Sequence, residues 1–283
     1  MINLILLMSG ANHFGLDTAL NPYSHPGPVD LKRAKLDHQN IAQCFRQAGV
    51  DLLSVKPPRA AQDGVFVANW AVCHGDKAVL ARLPKPRAIE EKTAEICLWD
   101  LELEVVKVPE DWHFSGSGDA LVCGKYLLAG HGYRSDPRAC AFAANELGLE
   151  LVLLKTVPAL DGQGKPVINQ ATGWPDSYFY DLDLALGVLN HDLIVYCPEA
   201  FDEASRQIIE SLPLETIKVD SGEAVNGFAC NLVSTGQTVI MSAEAPKLQA
   251  EIECRGFTVL TPDVQELKRA GGFIHCVSLD LGL

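Results

Sequence analysis

One pattern constrains the fold of this chain more than any other: a strand, a tight polar turn, a second strand, then a helix and a third short strand. GVFVANWAVCHGDKAVLARL (Gly64 to Leu83) turns at Gly-Asp-Lys, and SGDALVCGKYLLAGHG (Ser117 to Gly132) turns at Gly-Lys. YFYDLDLALGVLNHDLIVYCP (Tyr178 to Pro198) turns at Asn-His-Asp, and NGFACNLVSTGQTVIMSA (Asn226 to Ala243) turns at Thr-Gly-Gln. The closing GGFIHCVSLDL matches only the first half of the unit, and INLILLM near the start can supply the missing strand. The runs are nearly continuously apolar and rich in β-branched and aromatic residues, as strands buried between layers are. Helix-period segments are predicted at 29–49, 86–101, 135–148, 198–212 and 243–256, with Asp, Ser or Pro at several starts. A short strand follows each: VDLLSVK, LEVVKV, LELVLLK, LETIKV and FTVL. Units recur about every 50 residues, the spacing of a repeat architecture. The expectation is an α/β fold of five strand-strand-helix-strand units, closed into one array by the two terminal strands. Hairpin ends then converge near a central axis, where a ligand site would draw residues from every unit.

The 283 residues, 48% hydrophobic and 21% charged, suffice to bury the core of a single domain spanning 1–283. A formal net charge of −13 argues against nucleic-acid and anionic-membrane partners. The early apolar run from Ile2 to Met8 is too short for a membrane span, and it lacks a basic flank and a cleavage site. It predicts a strand and a cytoplasmic protein. Nine cysteines occur without a C-x-x-C or a His/Cys cluster, so no metal site is expected. Most are expected to be small buried hydrophobes. Cys276 stands out because Gly-Gly-Phe-Ile-His leads directly into it; it is either one more buried thiol or a nucleophile.

The motifs NPYSHP (from Asn21), DGVFVANW (Asp63 to Trp70), FSGSGD (Phe114 to Asp119), GHGYRSD (Gly130 to Asp136), YDLD (Tyr180 to Asp183), GFACN (Gly227 to Asn231) and GGFIHC run in order along nearly the whole chain. In them the chain resembles the guanidino-group-modifying enzymes of the pentein fold. These are the arginine deiminases, arginine dihydrolases, dimethylarginine dimethylaminohydrolases and amidinotransferases. The resemblance implies a five-fold pseudosymmetric α/β propeller and a small guanidino substrate, without metal or organic cofactor. It also implies a cysteine nucleophile that attacks the guanidinium carbon and passes through a covalent thiouronium intermediate. By that resemblance Cys276 takes the nucleophile position, and Asp63 and Asp183 take guanidinium-binding positions. Asn21 and Asn69 match amide positions of the dihydrolase-like branch, and Arg134 matches an arginine that meets a substrate carboxylate. Oligomeric state is left between a monomer and a small homo-oligomer.

The chain departs from the family pattern at two places. Where the family has His-Leu-Asp, this chain has Asp181-Leu182-Asp183, so Asp181 stands in for the acid/base histidine. Where the family has Phe-Glu-Gly-x-Gly-Asp, Ser115 replaces the glutamate and Asp119 is retained, and both are expected among the substrate-binding residues. Asp181 can shuttle protons only if burial or Asp183 raises its pKa. On a strand, Asp181 and Asp183 share one face, and both are expected inward. By the same rule His275 and Cys276 face opposite sides. That leaves His131, His113 and His25 as histidines placed by motif to assist. The alternative to a working hydrolase is a relative that binds a guanidino ligand or a protein partner without turnover.

Overall fold

In the computed structural model, residues 4–283 are described; Ile2 and Asn3, at the head of the predicted first strand, lie outside them. Five three-stranded sheets are present among these residues, all on one plan. Ala71–His74 pairs antiparallel with Lys77–Leu80, and the chain then forms the helix Ile89–Asp100. It returns as Glu104–Lys107, parallel to the second strand. The next unit repeats this with Ala120–Cys123, Tyr126–Gly130, the helix Pro137–Leu147 and Glu150–Leu154. A third uses Leu186–Val188, Leu193–Tyr196, the helix Glu203–Ser211 and Glu215–Lys218. A fourth uses Val233–Ser234, Thr238–Ile240, the helix Pro246–Cys254 and Thr258–Leu260. The fifth sheet is shared by the two ends of the chain. Ile5–Ser9 pairs antiparallel with Leu279–Asp280 (Leu6 opposite Asp280, Leu7 opposite Leu279) and parallel with Asp51–Val55.

Helix starts follow the cap chemistry visible in the sequence. Asp30 accepts from the N–H groups of Lys32 and Arg33 to open Leu31–Gln47, Asp136 caps the helix that begins at Pro137, and Asp202 caps Glu203–Ser211. One helix, Ser221–Gly227, was not expected; Asp220 caps it just ahead of the GFACN motif. A second lock is long-range. The fully buried Asp37 of the first helix accepts from Arg33 Nε at 2.7 Å and from the backbone N–H groups of Gln265, Glu266 and Leu267 at 3.0, 2.6 and 3.1 Å. It thereby pins the segment that leads into GGFIHC.

The hairpin first strands are shorter than expected. The apolar stretches ahead of them coil into single 3₁₀ turns at Val67–Trp70, Gly116–Gly118 and Leu182–Leu184. Residues 274–277 are likewise a turn rather than strand, with Val277 N–H on the Phe273 carbonyl. These turns bring the quoted motifs together.

Candidate active site

Cys276 is buried at the end of its turn, with Sγ donating to Asp183 Oδ2 at 3.3 Å. Asn231 holds the loop from below. Its Nδ2 donates to Cys276 Sγ at 3.2 Å, and its Oδ1 accepts from the His275 N–H at 2.9 Å. Gly271 makes the bend possible: its φ is +86°, and a Cβ there would lie 2.6 Å from Asn21 Oδ1. Burial first, and the adjacent Asp183 second, push the Cys276 thiol well above the ordinary cysteine range.

Asp181 and Asp183 are both 1% exposed. They face inward because they flank and enter a 3₁₀ turn; strand alternation does not set their direction. Asp181 accepts from Ser115 Oγ and Asn69 Nδ2, both at 2.9 Å, and lies 3.5 Å from Arg134 Nη1. Burial raises its pKa, Arg134 opposes the rise, and Asp183 adds to it. Asp183 uses only one of its oxygens. Oδ2 meets both Cys276 Sγ and His275 Nδ1, the latter at 2.9 Å, while the buried Oδ1 has no partner.

The position of His275 corrects the expectation from strand alternation. Because the loop is a turn, His275 and Cys276 converge on the same carboxylate oxygen. The other three histidines are elsewhere. His113 is exposed and packs edge-on against Trp174, His25 is exposed, and His131 follows the strand Tyr126–Gly130.

Arg134 stacks on the Tyr180 ring at 3.9 Å and donates to the Leu20 carbonyl at 3.0 Å. Asn21 Oδ1 accepts from the N–H groups of Tyr23 and Ser24, and its Nδ2 donates to the Ala270 carbonyl. Asp63 is raised to about 6 by burial, against the pull of Arg87. Asp119 sits one layer back. Its two oxygens accept from Leu182 N–H at 3.0 Å and Ser135 Oγ at 2.7 Å, which fixes the Asp181–Asp183 turn from behind. Burial, then Asp181, drives its pKa well up.

Three participants escaped the sequence reading. Arg87 and Glu90, both buried, form a two-point ion pair at 2.8 and 2.7 Å. Arg87 Nη1 donates to Asn69 Oδ1 at 2.7 Å, and Trp70 Nε1 donates to Glu90 Oε2 at 3.0 Å. Asn231 is the third. Trp70 carried a usable signal, because a buried indole N–H needs an acceptor; Asn231 closes a motif already noted.

Two separate cavities flank this cluster. Asn21, Asp63, Asn69, Arg134, Tyr180 and Cys276 are among the residues around a space of about 10 Å³. Asp183 and His275 instead line a much larger one of about 400 Å³, with Leu121, Leu186, Leu232 and Asp280 among its walls. No cluster of metal-ligating side chains occurs among the described residues, and no helix there is long and apolar enough to cross a membrane.

A family model described as N,N dimethylarginine dimethylhydrolase, eukaryotic, matches residues 21–283. The chain belongs to this dimethylarginine-hydrolase family. A member of the family from Mycobacterium tuberculosis, named N(G),N(G)-dimethylarginine dimethylaminohydrolase, is 31% identical across 95% of this chain and 82% of its own length. The bifunctional arginine dihydrolase/ornithine cyclodeaminase ArgZ of Synechocystis is 32% identical over 97% of this chain, which spans 37% of that longer protein. The N-terminal domain of ArgZ, solved with a covalently bound reaction intermediate, superposes with a TM-score of 0.88 at 29% identity. That match covers 99% of this chain and 98% of that domain.

Proposed function

We propose that this protein hydrolyses a C–N bond of a guanidino compound, arginine or a methylarginine, with Cys276 as nucleophile. The observation that carries the reading is the Asp183 carboxylate. It is buried, it touches the Cys276 sulfur with one oxygen, and its other oxygen has no partner. A buried orphan acceptor is costly, and a guanidinium N–H beside the thiol would satisfy it with a charge-assisted bond. Family membership and the intermediate bound by the ArgZ domain support the same chemistry.

In this reading the Cys276 proton passes to a carboxylate as the S–C bond forms. The C=N electron pair moves onto nitrogen and gives a neutral tetrahedral adduct. The same proton then goes to the leaving nitrogen, the C–N bond breaks, and a cationic thiouronium remains with a neutral amine. Water adds to that carbon, the C–S bond breaks, and a ureido product, the thiol and one proton result. Asp181, held by Ser115, Asn69 and Arg134, is the carboxylate placed to exchange protons with the departing nitrogen, and its raised pKa suits that task. Asp63 and Arg134 bind the substrate, Asn21 and Asn69 line its site, and Asp119 and Ser115 hold the turn beneath. The small cavity is far below ligand size, so its lining shifts to admit substrate. We read the five sheets as blades of one closed propeller in a single cytoplasmic domain.

A second reading, binding without turnover, is favoured by one observation: the thiol's raised pKa keeps it protonated. Acid-quenched single-turnover mixtures with arginine and with dimethylarginine separate the two. A thiouronium mass on the Cys276 peptide, with ureido product in solution, is expected for the hydrolase. Tight binding with neither adduct nor product, in wild type as in Cys276→Ser, would leave only the binder.

A further inference from the structure

We propose that His275 is the proton relay of this site, linking Cys276 through Asp183 to the 400 Å³ cavity on the far side of that carboxylate. The inference rests on the hydrolase reading and adds the route by which its proton leaves.

The geometry is a line of three groups. Cys276 Sγ lies 3.3 Å from Asp183 Oδ2, and His275 Nδ1 lies 2.9 Å from that same atom. The backbone N–H of His275 is fixed by Asn231 Oδ1, so the ring cannot drift from the carboxylate without breaking the support of the cysteine loop. With Nδ1 engaged, Nε2 meets no protein partner among the described residues, and the ring forms part of the cavity wall. An imidazole with one nitrogen on a carboxylate and the other free takes a proton at one side and gives it up at the other.

The reaction needs such a route. Guanidinium plus water gives a ureido group, a neutral amine and one proton. That proton appears in the second half, when water adds to the thiouronium and the C–S bond breaks. The space on the substrate side is far smaller than a guanidino substrate, so once the lining has shifted to admit it, substrate or product fills that side. The far cavity is open to water and reaches Asp183 and His275 directly. In the resting site Nδ1–H donates to the ionised Asp183 and Nε2 is unprotonated. In the first half Nε2 takes a proton from cavity water while Nδ1–H passes by way of Asp183 to the departing amine, which leaves the site as its ammonium ion. In the second half the proton formed at the thiouronium carbon moves to Asp183 Oδ2 and on to the vacated Nδ1 as Nε2–H is released into the cavity, which restores the starting tautomer. The titratable and charged groups facing this line are Asp181, Arg134, Tyr180 and Cys276 on the substrate side, with His74, Asp280, Cys73 and Cys230 around the cavity.

The test uses the full chain with arginine or dimethylarginine, whichever wild type turns over. His275→Asn keeps a donor toward Asp183 but cannot relay. It is expected to lower kcat by about 10²–10⁴ with little change in KM, and to abolish the limb of the pH–rate profile belonging to the imidazole. His275→Ala opens the ring's space to the large cavity, and added imidazole should restore its activity saturably by at least about tenfold. If His275→Asn keeps the wild-type kcat and pH profile, or if a folded His275→Ala gains nothing from imidazole, the relay is wrong while the hydrolase stands. If His275→Ala does not fold, the His275→Asn profile decides. If wild type turns over no guanidino compound and forms no Cys276 adduct, both the hydrolase and the relay fall.

Discussion

The charge around Cys276 predicts an inversion of reagent selectivity. The thiol is buried, with Asp183 at 3.3 Å and Asp181 close by, so it is mostly protonated near neutral pH. With its pKa held well above the ordinary cysteine range by burial and Asp183, only a small fraction is thiolate at about pH 7.5. Exposed Cys254 serves as a reference inside the same molecule. Neutral iodoacetamide should therefore modify Cys254 well ahead of Cys276. Chloroacetamidine carries an amidinium cation, and that charge reverses the order. A cation about 4 Å from the sulfur stabilises the thiolate by about 4 kcal/mol at an effective dielectric near 20. At 1.36 kcal/mol per unit this is a pKa drop of about 3, or roughly a thousandfold in thiolate fraction. Peptide mass spectrometry of timed, quenched samples gives both rates, and excess arginine should slow only the Cys276 reaction. Asp183→Asn makes the test stricter, because it should speed iodoacetamide at Cys276 and slow chloroacetamidine there. If the two reagents rank the two cysteines alike, or if Asp183→Asn moves both rates the same way, the electrostatic account of the site is refuted.

Three further outcomes follow from single groups. Asp37→Ala strips the acceptor from two buried backbone N–H groups, one part-buried one and Arg33; it should cost about 3–5 kcal/mol, read as a lower urea midpoint with unchanged slope. A loss under about 1 kcal/mol would mean that segment 265–267 is held otherwise. Asp63 is raised to about 6, so its folded form binds protons more tightly than the unfolded chain. Its contribution is fully present below about pH 4 and is lost as pH rises through about 6. Asp63→Asn should thus gain stability over wild type across that window, by up to about 3 kcal/mol, and show no gain below it. Finally, arginine or dimethylarginine at about a hundred times its Kd should stabilise the fold by about 2.7 kcal/mol. Asp183→Asn should erase that shift in a melting experiment; a full shift in the variant would show that Asp183 does not hold the ligand.

The sheets and helices were legible because their signals are local. Asp30, Asp136 and Asp202 announce helices, and the Gly-Asp-Lys and Gly-Lys turns announce hairpins. The pairing of the two chain ends followed from counting strands, since the last unit was half complete. The 3₁₀ turns were not legible. Val67–Trp70 and Leu182–Leu184 are apolar nearly throughout, and a continuous apolar run carries no period to distinguish strand from turn. That ambiguity sent His275 to the wrong face, because the alternation rule holds only where there is a strand. Arg87 and Glu90 hid in a segment read as an amphipathic helix, where charges default to solvent; only the enclosure of Trp70 and Asn69 turns them inward.

The sheet that joins Leu6 to Asp280 also sets a clock. Its central strand leaves the ribosome about 270 residues ahead of its antiparallel neighbour, since Leu6 lies opposite Asp280. At about 5–20 residues per second, that strand waits roughly a quarter of a minute to a minute for its partner. For that interval one edge stands open to any other extended segment nearby. The Cys276 loop lies just upstream of the late strand, so the thiol's surroundings are completed only when that strand is made. Newly made chains should therefore be most prone to mispairing and to thiol oxidation just before Leu279–Asp280 is made, when every other sheet has all its strands.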